Sequence, residues 1–285
     1  MGECGLGWWF LATKGVSMTD EVKPESAWNR SFGLIEGERR FWQIGPFQLW
    51  ATALPSEIRL ALARGDDPLE TTLAIEGPNT CRDVPEETDV RRFGFRLPPD
   101  SLELVPALAD RPVVVSPEAP LMLPPDEEVT VFVSTPLWVR VVAGDRESVL
   151  LDEPTHRPSD SWFGPSTMEG ELCYASRTNA RMNLENLPVR PHRAISVVRV
   201  KNGSTTDLNI EKLRLPTPQM SVFVTAKGRY WTEGVTLERH EKDEPAAVRF
   251  DQGPPDEAPD ATLAAVPRSP SQRGLLTRTF AGILQ

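Results

Sequence analysis

The fold is decided between Val113 and Val142, where the sequence reads VVVSPEAPLMLPPDEEVTVFVSTPLWVRVV. Four apolar runs, rich in β-branched residues, alternate there with breaks that carry proline. β-Branched side chains favour strands, whereas proline lacks the backbone N–H that a central strand needs. The stretch therefore predicts four short strands, and such spacing is typical of two antiparallel sheets that pack face to face.

The residues before this stretch continue the pattern. Aromatic residues flank Gly45-Pro46, which predicts a hairpin of two short strands. The segment from Glu57 to Arg64 fits either a strand or a short helix. We favour the strand, because alternate residues are apolar and a strong turn signal, Gly65-Asp66-Asp67-Pro68, follows.

The residues after the stretch also resume β character. Ala194 to Lys201 reads as a strand, and Asn202-Gly203 predicts a hairpin turn because both residues tolerate positive φ. Leu172 to Asn183 stays open between strand and helix. In either case Arg177 and Arg181 share a face of the element.

Length and composition predict two domains. The chain has 285 residues, and domains typically hold about 100–150. Proline, serine and charge accumulate between Asp152 and Pro165, where we place the boundary. The predicted fold is all-β, with two antiparallel β-sandwich domains in tandem, immunoglobulin-like or jelly-roll-like, and a short C-terminal amphipathic helix on a disordered linker. The predicted parts are a disordered or extended segment at 1–30, sandwiches at 31–154 and 155–251, the linker at 252–272 and the helix at 273–285.

The end of the chain predicts a docking tail. Its apolar side chains fall on one helical face and are Leu275, Leu276, Phe280, Ile283 and Leu284. A short amphipathic helix on a tether can grip its own protein, a protein partner or a membrane surface. The sequence has no run of about 18 apolar residues. The chain is therefore not expected to be an integral membrane protein. Its three unpaired cysteines suit a reducing cytoplasm, so we expect a cytoplasmic location, peripheral to the inner membrane if the tail docks there.

The composition argues against several classes of function. A net charge of -10 repels phosphates, so no nucleic-acid partner is expected. Three cysteines without paired spacing predict neither a disulfide framework nor a zinc ribbon. The three histidines are scattered, and no phosphate-binding loop occurs. We expect no metal and no cofactor.

A basic cluster stands out in this acidic chain and predicts an anion site. Its members are Arg177, Arg181, Arg190, His192 and Arg193. Guanidinium groups hold carboxylate or phosphate through paired donors, so the cluster suits a small anionic ligand. The acidic composition favours the alternative, in which these side chains pair with carboxylates of the chain itself. The candidate partners are Glu169, Glu171, Asp207 and Glu211.

Enzyme chemistry has weaker support. Cys173 and His192 are the one cysteine and histidine pair in this stretch, but Cys173 lies between Leu172 and Tyr174 as a core residue would. Paired carboxylates from Glu169, Glu171 or Asp160 would suit a hydrolase of sugars or small molecules. Four aromatic side chains are candidates for stacking on a sugar, but aromatic residues of sandwich proteins are expected to lie in the core. They are Trp138, Trp162, Phe163 and Trp231.

Several motifs resemble those of an uncharacterised prokaryotic family, the domain-of-unknown-function family 432. They read GELCYASRTNAR from Gly170 to Arg181, RPHRA from Arg190 to Ala194, KNGS from Lys201 to Ser204 and RGLLTRTF from Arg273 to Phe280. The resemblance covers most of the chain after about Ser31. It offers no catalytic residue to carry over, and it implies at most a membrane-associated partner, such as a small-conductance mechanosensitive channel.

These observations together predict a non-enzymatic binding or adaptor protein, and the family resemblance implies association with a membrane partner such as a mechanosensitive channel. The alternatives are a small-molecule or sugar-processing hydrolase, and an anion- or carbohydrate-binding module that uses the arginine cluster.

Overall fold

The computed structural model of the chain describes residues 27–78, 80–86, 88–144, 148–164, 166, 168–240 and 246–270. These residues form strands joined by turns, with short 3-10 turns at Leu184–Asn186 and Thr217–Gln219, so the all-β prediction is confirmed. In chain order the strands are β1 (Ser31–Gly33), β2 (Arg39–Ile44), β3 (Phe47–Leu54), β4 (Glu57–Arg64), β5 (Leu73–Glu76), β6 (Asp89–Gly94), β7 (Ser101–Ala107), β8 (Val113–Val115), β9 (Leu121–Leu123), β10 (Glu128–Pro136), β11 (Trp138–Ala143), β12 (Ser148–Pro154), β13 (Ser159–Phe163), β14 (Glu171–Ala175), β15 (Arg193–Asn202), β16 (Leu208–Ile210), β17 (Leu213–Leu215), β18 (Val222–Val224), β19 (Tyr230–Thr232), β20 (Val235–Arg239), β21 (Ala247–Phe250) and β22 (Thr262–Ala265).

The first large sheet is built from neighbouring segments of the chain. Its five antiparallel strands lie in the order β5-β2-β3-β4-β6. The predicted hairpin at Gly45-Pro46 joins β2 to β3, and Gly45 has the positive φ of 59° that such a turn requires. Alternate apolar residues of β4 are fully or almost fully buried. The period-two pattern therefore gave the right choice between strand and helix for Glu57 to Arg64.

The second large sheet is organised around β15. The whole length of β10 pairs with it in antiparallel fashion, from Glu128 opposite Lys201 to Pro136 opposite Arg193. Along its other edge β15 pairs in parallel first with β19 and then with β20. The sheet continues outward through β21 on one side and through β18 and β22 on the other. Almost every residue of β15 is buried, as expected of a strand covered on both faces.

Three smaller sheets complete the fold. One has the order β1-β7-β11-β12 and another β13-β14-β8-β17, while β9 and β16 form a two-stranded pair. The four runs that the sequence predicted between Val113 and Val142 are therefore all strands, β8 to β11. The open segment at Leu172 begins as a strand, because β14 covers Glu171 to Ala175.

The predicted division into tandem sandwiches at residue 154 is not confirmed. Strands from before and after that residue pair with each other, as β10 does with β15, β8 with β14 and β17, and β9 with β16. The main hydrophobic cluster likewise extends from Trp28 to Val248. The proline- and serine-rich stretch interrupts the strands locally, but the hydrogen bonds and the core continue across it.

The disordered linker predicted at 252–272 is wrong for residues 252–270. Within it β22 pairs with β18, and the small side chains of Ala258 and Ala261 are buried against the apolar cluster around Trp231. Adding a strand to a sheet edge requires free backbone groups more than an apolar sequence, so average polarity misled the prediction. The predicted helix at 273–285 and residues 1–26 of the segment predicted at 1–30 lie outside the described residues. Disorder is wrong for residues 27–30, because Trp28 is fully buried in the main core.

The hairpin predicted at Asn202-Gly203 is also wrong. The strand that follows, β16, pairs with β9 and not with β15, and neither residue has positive φ. The Asn202 side chain is instead buried, with its amide nitrogen 2.8–3.1 Å from the carbonyl oxygens of Leu123, Pro124 and Thr206. Asn202 therefore braces two loops through its side chain.

Among the described residues, no helix has both the length and the apolar composition needed to cross a bilayer.

Candidate functional site

A concavity of about 630 Å³ lies where the end of β4 meets the segment after β12. Its charged and titratable lining consists of Arg64, Asp66, Asp89, His156, Arg157 and Arg177. Arg64 ends β4, and Asp66 belongs to the turn that follows it. His156 and Arg157 stand between β12 and β13, while Arg177 comes just after β14. Asp89 begins β6, so four different parts of the chain supply the site.

Arg64 is held by its own carboxylate partner. Its Nε donates to the carbonyl of Pro154 at 3.0 Å, and its Nη2 lies 2.6 Å from Glu153. The same Glu153 carboxylate accepts from Arg91, also at 2.6 Å. Arg64 therefore fixes the wall of the concavity, and its charge is largely neutralised.

Arg157 and Arg177 differ from Arg64 in this respect. Both are exposed, and among the described residues neither forms an ion pair with a carboxylate. Arg177 donates from Nη2 to the Ser159 hydroxyl at 2.8 Å, which orients its guanidinium group. Their charges remain available to a ligand.

His156 is a buried, neutral member of the lining. Burial, followed by the positive charges of Arg193, Arg177 and Arg64, lowers the pKa of His156 to about 4. Its Nδ1 is buried and has no hydrogen-bond partner among the described residues. The preceding residue fixes its position, because the Thr155 N–H and hydroxyl both donate to the carbonyl of Leu137, at 3.2 and 2.8 Å.

Arg193 lies close enough to His156 to influence its pKa, but it does not line the concavity. Only 3% of it is exposed. Its Nε donates to the Ser134 hydroxyl at 2.8 Å, and its Nη2 donates to the Ser134 carbonyl and the Thr178 hydroxyl. Burial, with a smaller effect from Arg190, lowers the pKa of Arg193 to about 9, so the group remains charged at neutral pH.

Arg190 and His192 brace the turn after β4. His192 is fully buried and donates from Nε2 to the carbonyl of Pro68, with 3.0 Å between the atoms. Arg190 donates from Nε to the carbonyl of Leu69 at 3.3 Å. Burial, then the charge of Arg193, lowers the pKa of His192 to about 3, so this imidazole is neutral.

Arg181 lies apart from the others. It forms an ion pair with Glu118 at 3.0 Å and lines a separate concavity of about 360 Å³. The structure therefore places the five predicted residues in three locations: Arg177 in the large concavity, Arg190, His192 and Arg193 in the buried region next to it, and Arg181 elsewhere.

The carboxylates that the sequence offered as partners do not neutralise this cluster. Glu171 pairs with the buried Arg214, and Glu211 accepts from the Asn209 amide at 2.8 Å. Arg181 alone among the five forms an ion pair with a carboxylate of the described residues, and that carboxylate is Glu118. The ion-pair alternative therefore holds for Arg181 with a different partner.

Cys173 and Asp160, which were considered for catalysis, lie in a core cluster and an ion pair respectively. Cys173 packs with Val114 and Phe163, and burial raises the pKa of its thiol to about 11. Asp160 lies 3.4 Å from Arg111. Among the described residues, no group of three or more histidine, cysteine or acidic side chains is arranged to hold a metal ion.

The aromatic side chains follow the prediction in part. Trp138, Phe163 and Trp231 are buried. Trp162 is 44% exposed, with its Nε1 donating to the carbonyl of Ser166 at 2.8 Å. It does not line the large concavity.

The sequence did not identify five charged or titratable members of the lining, which are Arg64, Asp66, Asp89, His156 and Arg157. His156-Arg157 lies in the proline-rich stretch that predicts a domain boundary, and a single histidine outside any paired motif predicts no site. Two basic residues next to each other in an acidic, proline-rich segment were the available signal. Arg64 carried no signal, because only the fold brings the end of β4 to this place.

Comparison with known proteins agrees with the resemblance described above. The family model described as a protein of unknown function (DUF432) matches residues 31–285. No curated protein and no solved structure matches the chain. The matched range includes every residue of the concavity, and it covers most of the sequence, so the chain belongs to the DUF432 family.

Proposed function

We propose that the protein is a non-enzymatic binding protein whose ligand is a small organic anion held in the concavity beside β4. One observation carries the proposal: Arg157 and Arg177 line the same concavity, and neither is paired with a carboxylate of the described residues. The chain has 41 acidic residues against 31 basic ones. In such a chain, two guanidinium groups that line one concavity and form no ion pair with the described carboxylates favour an external anion.

The chemistry of the lining suits an oxyanion. Guanidinium groups bind carboxylate or phosphate through two parallel N–H donors. Neutral His156 adds a buried ring nitrogen that lacks a partner among the described residues. In its Nδ1–H tautomer it would donate to the same anion.

The size of the concavity indicates a ligand larger than a bare ion. Ligand sites commonly enclose about 300–1,000 Å³, and this one measures about 630 Å³. Asp66 and Asp89 also belong to the lining, and carboxylates accept hydrogen bonds from hydroxyl groups. A phosphorylated or acidic sugar would satisfy both kinds of side chain.

Catalysis finds little support in the same geometry. An effective general base has a pKa near the working pH, whereas the pKa of His156 is lowered to about 4. Two of the carboxylates considered for a hydrolase, Asp160 and Glu171, form ion pairs with Arg111 and Arg214. We therefore favour binding over hydrolysis.

The adaptor role rests on the predicted docking tail. Residues 273–285 lie outside the described part of the chain, so association with a protein partner or a membrane surface stays a prediction. Deleting residues 275–285 tests it, because the body should stay folded while a co-purifying partner or membrane fraction is lost.

Isothermal titration of the full chain with glucose 6-phosphate, glucose and inorganic phosphate tests the anion site. We expect saturable binding of the sugar phosphate and none of glucose. Hydrogen bonds to charged groups contribute about 1.5–3 kcal/mol, so Arg157→Ala and Arg177→Ala should each weaken binding by about 10- to 100-fold.

Arg229→Ala is the matched control. Arg229 is an exposed arginine outside the lining, and its loss should leave the affinity unchanged. If neither phosphate compound binds, or if the double variant Arg157→Ala, Arg177→Ala binds as well as the wild type, the proposed function is wrong.

A further inference from the structure

Arg190 and Arg193 form a pair of like charges next to the concavity but outside its lining. They are three residues apart, and the Arg193 N–H donates to the Arg190 carbonyl at 3.2 Å, so the chain turns back between them. The positive charge of Arg190 is close enough to lower the pKa of Arg193. Two guanidinium groups repel each other when no negative charge lies between them.

Arg193 is the more deeply buried of the two. Two of its three nitrogens donate to Ser134 and Thr178, which are neutral acceptors. The third, Nη1, is buried and has no partner among the described residues. Residues 27–78, 80–86, 88–144, 148–164, 166, 168–240 and 246–270 offer no carboxylate in an ion pair with it.

Arg190 shows the same deficiency. Its Nε donates to the carbonyl of Leu69, while its Nη1 is also buried and without a partner in the described part of the chain. Glu70 lies nearby, but its carboxylate accepts from the backbone N–H groups of Thr71 and Thr72, at 2.8 and 2.9 Å. It forms no ion pair with either arginine.

Burying a charge such as that of Arg193 without a counter-charge costs several kcal/mol, and the partly buried charge of the same sign on Arg190 adds to this cost. Buried N–H groups in native proteins nearly always have an acceptor. The two unpartnered Nη1 atoms therefore require an acceptor that the polypeptide does not supply, and a negatively charged acceptor meets both requirements at once.

We propose that a small monovalent anion, of which chloride is the abundant example, binds between Arg190 and Arg193 and serves as their structural counter-ion. A halide fits better than an oxyanion, because Arg193 is buried and only one of its nitrogens, Nη1, lacks a partner among the described residues. A phosphate bound between the two arginines would have more oxygens than there are hydrogen-bond donors. Each buried oxygen without a donor would carry a desolvation cost.

This site is separate from the ligand concavity. The lining of the concavity contains Arg177 and Arg157 but neither Arg190 nor Arg193. The counter-ion would hold β15, which starts at Arg193, against the turn that carries Leu69. Chloride would thus stabilise the wall of the concavity without occupying it.

Thermal unfolding of the full chain, with sodium gluconate replaced by sodium chloride at constant ionic strength, tests the proposal. We expect Tm to rise by about 2–3 °C for each tenfold increase in chloride above the dissociation constant. Arg190→Gln and Arg193→Gln should each abolish the dependence on chloride. Arg190 is less buried than Arg193, so its variant keeps the test valid if Arg193→Gln fails to fold.

Two further variants locate the effect. Arg181→Gln alters an arginine that is already paired with Glu118, and Arg177→Gln alters the concavity, so both should keep the full chloride dependence. Loss of the dependence in Arg177→Gln would place chloride in the concavity and overturn the proposal. In crystals soaked in bromide, an anomalous peak beside the two Nη1 atoms is expected, and a water molecule there with no Tm response to chloride would also overturn it.

Discussion

His156 and His192 are buried beside arginines, and this placement makes the stability of the protein depend on pH. The pKa of an unperturbed histidine is 6.5, whereas burial and the neighbouring charges lower it to about 4 for His156 and about 3 for His192. Between pH 6.5 and 4 the two imidazoles therefore bind protons in the unfolded chain but stay neutral in the folded one. Stability is highest above the unfolded pKa and falls as the pH decreases through this window.

We expect the free energy of unfolding to decrease by about 1.4 kcal/mol per pH unit for each histidine between pH 6 and 4.5. His156→Asn and His192→Asn should each reduce this pH dependence by the contribution of one proton, about 1.4 kcal/mol per pH unit. Urea unfolding across the pH range measures it. If both variants keep the wild-type slope, the two imidazoles are protonated in the folded protein.

The basic cluster also shows how far a sequence can identify a site. The unusual density of positive charge around Arg177, Arg190 and Arg193 was visible without a structure. The sequence alone did not show which of these arginines is exposed to solvent, because exposure depends on strands that are distant in sequence. Arg193 begins a central strand and is covered on both sides, whereas Arg177 follows a strand near a sheet edge and reaches the concavity.

Individual strands were more predictable than their partners. The patterns at Glu57 to Arg64, Val113 to Val142 and Ala194 to Lys201 indicate strands because alternation or an apolar run is a local property. Pairing is not local: β15 lies beside β10, β19 and β20, which precede or follow it by about 30 to 60 residues. A period-two pattern says which side chains are buried, but not which backbone lies alongside.

The turn between β2 and β3 packs closely against His192, which lies in the buried region next to the concavity. An added Cβ at Gly45 would lie 2.2 Å from Nδ1 of His192, and φ there is +59°. Gly37 also has positive φ, at +85°, but nothing lies within 4 Å of its Cβ position. The two glycines therefore form a matched pair that separates backbone strain from contact with His192.

We expect Gly37→Ala to cost about 1–2 kcal/mol, the strain of positive φ alone. Gly45→Ala should cost a further 1–3 kcal/mol, because the new methyl group displaces the His192 ring. Chemical denaturation measures both changes. Equal costs for the two variants would mean that His192 moves freely and does not brace the turn after β4.

The two halves of the chain are tied together at several distant points. Trp28 donates from its indole Nε1 to the carbonyl of Pro191 at 2.8 Å, and Tyr230 donates from its hydroxyl to the Asn29 side chain at 2.8 Å. Near the other end, Arg268 forms an ion pair with Asp152 and donates to the carbonyl of Leu108 at 2.6 Å. Together with the shared sheets, these contacts make the predicted boundary at residue 154 a poor place to divide the molecule.

Fragments 27–154 and 155–270 should therefore fail to fold when they are expressed separately. The first would leave β10 without β15 and expose apolar residues of β8 and β10, while the second would leave β15 without its longest partner. Amide proton dispersion in NMR spectra of each fragment measures this directly. In the intact chain, tryptophan fluorescence reports on both halves, since Trp42 and Trp50 lie in one and Trp231 in the other among eight tryptophans in all. It should follow the same urea transition as circular dichroism. A fragment with native-like dispersion, or two separated transitions, would restore the tandem-domain interpretation, because each half would then have a core sufficient for its own stability.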